Sequence, residues 1–309
     1  MKVLVVGNGF DLDLGLGTTY LNFAQSKEFQ GLYSFSQIPD SLASYLFSQV
    51  TNENTKWFDL EDLIAKYVFT KKTGKTFGID EDRFFLKQLT IAFWKFVESE
   101  WMEKCNNLWN TPIKHSLAKA FIEKQNKTNC FDRIYSFNCF DYSLLDLASD
   151  LEIDYLRSIT FIHGHSNDFI FGIAEEDCTC KDYSFLIKKN QQGYPTENVK
   201  IFMSDLKKAD EIVIFGHSLN RIDMGYFKPF FYILCAQPNS NKRITFIEKN
   251  EDSFNCIKKR ITKFASVSYN QLNSSCSISA LFTENYENKE NMKAFEDFFF
   301  RLETSCNLK

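Results

Sequence analysis

The chain has 309 residues, enough to bury a large core as one big domain or as a domain with an inserted part. Hydrophobic residues make up 44% and charged residues 25%, an ordinary balance for a soluble globular protein, and a formal net charge of -4 argues against a broad electrostatic footprint on nucleic acid. The 9 cysteines form no complete zinc pattern and read as reduced thiols of a cytoplasmic protein, and no apolar run approaches the length of a membrane span.

Residues 3–6 are an apolar run that reads as a buried parallel strand, too short to be the core of a secretory leader. Gly7-Asn8-Gly9 follows at once, a tight turn whose glycines let the backbone come close to a ligand. A helix opening there would point its first N–H groups at a phosphate or ribose. Helices are predicted over residues 18–24, 41–47 and 59–67, the last from apolar positions three and four apart. Phe84, Leu89, Trp94, Phe96, Trp101, Leu108 and Leu117 continue that spacing, which predicts a helical block over about 80–124 with a break near Pro112.

The period then changes. Strands are predicted at 132–138, 159–163, 169–173, 211–215 and 243–247, with helices at 199–208, after about 220, and at 285–302. Strand and helix alternate with short links, which predicts an α/β, Rossmann-like fold with a mostly parallel sheet and helices on both faces. The chain is expected to be a single domain over 1–309, with a helical insertion or cap at about 36–127.

Three of the four histidines, His163, His165 and His217, lie beside glycine just past predicted strand ends, where open α/β sheets bind ligands. Histidine titrates near neutrality and suits proton transfer. Asn138 ends another strand, and His115 falls in the helical block. Gly216-His217-Ser218 followed by Asp223 reads as a second nucleotide-facing loop. There Ser218 would donate to phosphate or ribose, and Asp223 would accept from a hydroxyl or cap backbone. Asp11 would read a hydroxyl or cap the following helix. His163 and His165 with Asp168 or Asp223 are an alternative metal site, but spacing compels no third ligand and no metal is predicted. Ser218 lacks the G-x-S-x-G elbow that would expose a nucleophile.

NGFDLDLGLGTTY near the start, WFDLED at 57–62, SFN ending at Asn138, IHG at 162–164 and FGHSLNRID at 215–223 together resemble the bacteriophage abortive infection AbiH family, in that family's order. Gly17 stands where the family's GLPT has proline. AbiH-like proteins are in turn similar to the sirtuin-like NAD-binding fold. The resemblance implies NAD, as substrate or ligand, bound by Gly7, Asn8, Gly9, Asp11, Thr18, Gly164, His165, Gly216, His217, Ser218 and Asp223. It also implies catalysis by Asn138, which would place water or hold the ribose, and by His163 as base.

Asp11 departs from the small residue of sirtuins, and the absence of a four-cysteine zinc module argues against protein deacetylation. The implied role is NAD depletion that halts phage multiplication by arresting the infected cell. Its partners would be a small-molecule nucleotide, with a homo-oligomer or a phage-derived trigger left open; neither membrane nor nucleic acid is expected. The alternatives are a non-catalytic nucleotide-binding sensor and a metal-dependent nuclease-like toxin.

Overall fold

The computed structural model describes residues 1–51, 59–71, 78–108, 116–139, 159–165, 168–237, 240–284, 286 and 288–304. From the N-terminus, β1 (Lys2–Val6) leads into the helices α1 (Asn8–Asp13), α2 (Tyr20–Gln25), α3 (Lys27–Gln30), α4 (Leu42–Thr51), α5 (Leu60–Phe69), α6 (Ile79–Leu108) and α7 (Leu117–Thr128). Then come β2 (Arg133–Ser136), β3 (Ile159–Phe161), three short 3-10 turns, α8 (Thr196–Lys208), β4 (Glu211–Phe215) and α9 (Met224–Cys235). The chain closes with β5 (Arg243–Glu248), α10 (Glu251–Phe264), α11 (Tyr269–Ser275), β6 (Ser277–Phe282) and α12 (Lys289–Thr304). The break expected near Pro112, and His115, lie outside the described residues.

Two compact units emerge: the first is Met1–Leu16, Lys104–Ile162 and Glu197–Lys309, the second Gly17–Glu103 and His163–Thr196. The first holds a 6-stranded sheet in the order β3-β2-β1-β4-β5-β6, with every neighbouring pair parallel and Val3 level with Arg133 on one side and Ile212 on the other. Flanking helices give the expected Rossmann-like α/β fold, and this strand order reverses direction between β1 and β4. β1 and β4 are buried along their whole length. That is why KVLVV and EIVIF read as near-continuous apolar runs rather than alternating ones.

β6, opposite β3, is one of the two edge strands, SISALF, half-exposed along its length. With two serines among its first three residues it gave no apolar signal and went unpredicted, as did α10 and α11. The strand expected at 169–173 is instead irregular, with a single parallel bridge from Ile173 to Ile187. Side-chain caps set several helix starts: Thr19, Asp59, Ser116 and Asn250 accept from the backbone three residues on, at α2, α5, α7 and α10. Within the first unit the chain ends are tied together. The buried Lys2 ammonium donates to the Leu302 carbonyl near the end of α12, and Arg301 pairs with Glu211 at 2.9 Å.

The second unit is built on aromatic packing. Phe23, Phe29, Phe93 and Phe96 interlock at ring separations of 5.1–6.3 Å, and Phe171 closes on Phe93 at 4.9 Å. In the same unit Asp82, fully buried, accepts from Tyr67 Oη at 2.5 Å, Tyr183 Oη at 2.9 Å and the Leu42 amide at 2.6 Å. A carboxylate with three donors can be buried without an opposite charge beside it.

Candidate functional site

The loops after β1 and β4 meet backbone to backbone. Gly7 N–H donates to Phe215 O and Gly9 N–H to Gly216 O, both at 2.9 Å. A Cβ on Gly9 would stand 2.5 Å from Gly216 Cα, and one on Gly216, whose φ is +60°, would stand 2.4 Å from Gly9 Cα. The close approach expected of these glycines is therefore made to another stretch of chain, and their N–H groups are committed there. α1 opens at Asn8, half-buried, with Gly7 as its N-cap.

Asn138, just past β2, braces this junction. Its Nδ2 donates to Gly7 O at 3.0 Å and to Asp11 Oδ1 at 2.8 Å, while its own amide N–H donates to Ser136 Oγ at 3.1 Å. Two acceptors on one atom fix which end of the amide is nitrogen. Both amide protons are used, so Asn138 has no side-chain donor left for a ligand. Asp11 is 2% exposed.

His217 is also 2% exposed, its ring wedged against Phe137 at 4.3 Å and Phe227 at 5.2 Å. Its Nδ1 accepts from the Leu219 amide at 3.0 Å, which assigns the proton of the neutral ring to Nε2, 3.7 Å from Asp223 Oδ2. Asp223 is held by its own amide, which donates to Asn220 Oδ1 at 2.8 Å. Ser218, half-buried, is fixed through its carbonyl, which accepts from Arg260 Nη1 at 2.6 Å. The first unit thus gathers Gly7, Gly9, Asp11, Asn138, Gly216 and His217 around one junction, with Asp223 reached through His217.

The remaining expected residues, Thr18, His163, Gly164 and His165, belong to the second unit, so Asn138 and His163 fall in different units. Thr18 is buried ahead of α2. Gly164 has φ +75° and a Cβ there would lie 2.2 Å from Asp168 O, so this sharp turn admits only glycine. It is pinned by Asp168 N–H to His165 O at 3.0 Å and Ile170 N–H to His163 O at 2.8 Å, and His165 is half-buried. His163, 4% exposed, lies with its ring nitrogens 3.4 and 3.2 Å from Lys188 Nζ. Lys188 pairs with Glu61 at 2.9 and 3.0 Å, and Glu61 also accepts from Gly172 N–H at 3.3 Å.

Sequence reasoning missed Lys188 and Glu61 as partners of this histidine. Glu61 lies inside the WFDLED motif and was findable there; Lys188 has no local signature. It also missed Glu248 at the end of β5. Burial pushes that carboxyl up to about 8, against the opposing pull of the Arg260 charge, and its Oε1 has no hydrogen-bond partner among the described residues. Among the described residues no group of three or more His, Cys, Asp or Glu side chains is arranged to hold a metal ion. No helix among them is long and apolar enough to cross a membrane.

In comparisons with known proteins, no curated protein and no solved structure matches this chain. A family does: the description "Bacteriophage abortive infection AbiH" matches residues 3–248. That span takes in the junction at β1 and β4, the Asn138 brace and the His163 turn, and the chain belongs to the bacteriophage abortive infection AbiH family.

Proposed function

We propose that this chain acts in phage defence by binding NAD or a related nucleotide outside the carboxyl ends of its parallel strands and hydrolysing the nicotinamide–ribose bond. The observation that carries this reading is the strand order, which reverses between β1 and β4. Open α/β sheets bind ligands outside the strand ends at such a point, and here the segments after β1 and β4 carry Asp11, His217 and Asp223, with Asn138 joining Asp11 from just past β2. NAD is the ligand that the sequence resemblance to sirtuin-like proteins implies.

In this reaction the electrons of the ribose C–N bond leave with nicotinamide, water oxygen bonds to the ribose carbon, and the water proton passes to a base. The demand on the protein is orientation and shielding more than strong acid catalysis. Asn138 would place the water or hold the ribose. His163 takes the role of base. Loss of NAD would arrest the infected cell, and a partner or phage-derived trigger would hold or release the activity.

One observation favours a second reading, a sensor that binds without cleaving. Gly7 and Gly9 spend their N–H groups on β4 and its loop, and Asp11 adds a buried acid beside them. Both leave less to offer a pyrophosphate. Nicotinamide release from NAD by the purified protein, alone and with lysate of phage-infected cells, separates the two. Release that is lost with His163→Ala is expected. NAD binding without release assigns the sensor, and absence of binding in both conditions overturns the nucleotide reading.

A further inference from the structure

We propose that this chain pairs with a second copy of itself through the exposed face of α6, the two helices antiparallel about a two-fold axis that passes between Ile91 and Lys95. The pairing does not depend on the ligand proposed above.

α6 has two unlike faces. One carries Phe85, Leu89, Phe93 and Phe96, all buried. The other stays open along a continuous stripe of residues three and four apart: Phe84, Lys87, Ile91, Lys95, Glu98 and Met102 are all exposed. Phe84, Ile91 and Met102 are 54%, 42% and 59% exposed, and from the first to the last the stripe runs about 27 Å along the helix. Apolar side chains aligned on one face and rimmed by charge mark a surface that another protein covers. The charges are unspent too. Among the described residues Lys87, Lys95 and Glu98 take part in no ion pair or hydrogen bond, although Lys95 and Glu98 stand at a spacing where helical charges can meet.

The order of charges selects the partner. Along the stripe two cations, Lys87 and Lys95, precede the anion Glu98. A parallel copy in register would set each charge against its own kind. An antiparallel copy centred on Ile91 would set Lys87 against Lys95. Moving the axis to between Ile91 and Lys95 removes that conflict. Lys87 then meets Glu98 of the second copy, and Phe84 meets its Met102, a ring against a thioether. Ile91 lies against the methylene stem of the second copy's Lys95. Arg83 and Glu103, exposed at either end of the stripe, face each other in the same register. Because the contact is two-fold symmetric, every one of these meetings occurs twice. The face is its own complement in this register, so the occupant is a second copy and not an unrelated protein.

The test is sedimentation velocity of the full chain across micromolar concentrations. The wild type should form a dimer that weakens as salt is raised. Lys87→Glu sets glutamate against glutamate at both ends of the interface, and Glu98→Lys sets lysine against lysine. Each alone should raise the dimer Kd about tenfold or more. Both positions are exposed and unpaired within the chain, so each variant should keep the wild-type circular dichroism spectrum and Tm. Mixing the two single variants should restore the dimer, since every 87–98 meeting in the mixed pair again joins opposite charges. Lys87→Glu with Glu98→Lys in one chain should restore it as well. A folding defect cannot produce that recovery. A monomer at every concentration, or a dimer that neither single variant weakens, overturns the proposal. So does loss in the single variants with no recovery on mixing, which would assign the dimer to another face or register.

Discussion

Replacing Glu248 by glutamine removes an ionisable group from the end of β5 while keeping its shape. Glu248 is 8% exposed, and burial lifts it from an ordinary value of 4.5 to about 8. At about 1.36 kcal/mol per pH unit, the whole displacement corresponds to about 5 kcal/mol. The sign follows from which form the fold favours. A carboxyl whose folded value is raised is better tolerated protonated, so its contribution is complete below about 4.5 and is lost as pH climbs toward 8. The wild type should therefore lose stability across that window, and Glu248→Gln, which has no proton to release, should not. Urea unfolding followed by circular dichroism at pH 5, 7 and 9 reads this directly. The variant should match the wild type near pH 5 and exceed it by about 2–5 kcal/mol at pH 9, the lower figure allowing for water relaxing around the ionised group. Parallel stability curves across the range would refute the account of Glu248 as a buried acid held protonated.

Gly9→Ala forces a Cβ to within 2.5 Å of Gly216 Cα. It should cost about 1–3 kcal/mol in urea unfolding and impair whatever the β1–β4 junction binds. Gly225→Ala, in α9 with nothing within 4 Å of the added atom, is its control and should be neutral or stabilising by about 0.5 kcal/mol. Asp82→Ala strands the Leu42 amide in a buried site and takes the shared acceptor from the Tyr67 and Tyr183 hydroxyls, which keep the Asp40 carbonyl at 3.0 Å and each other at 3.4 Å. A loss of about 1–3 kcal/mol is expected, with earlier proteolysis inside the second unit; an unchanged melting curve would show that the carboxylate is not needed to hold these donors.

Much of the sheet was legible because burial writes itself into local pattern. β4 matched its predicted span, and β1 and β5 were found to within a residue, since strands covered on both faces must be apolar throughout. The edge strand β6 escaped because a half-exposed strand tolerates serine and has no such constraint. Residues 169–173 looked like a strand for the converse reason. Phe169, Ile170, Phe171 and Ile173 are buried by packing, without a ladder of hydrogen bonds. Asn138 and the glycines of both loops stood out in the sequence as ligand-facing residues, but their partners within the chain did not: Asn138 ties down Gly7 and Asp11.

By itself, then, the sequence determined the alternation of strand and helix, the turns that only glycine can make, and membership of the AbiH family. Only the tertiary structure decided the partners. Glu61 and Lys188 are 127 residues apart in the chain, and Asn138 stands 127 from the Asp11 it grips. Periodicity reports which face of an element is buried, whereas the pairing of two charges or amides depends on the path the whole chain takes between them. That path also assigned Asn138 and His163 to different compact units, a division that no spacing or motif in the sequence records.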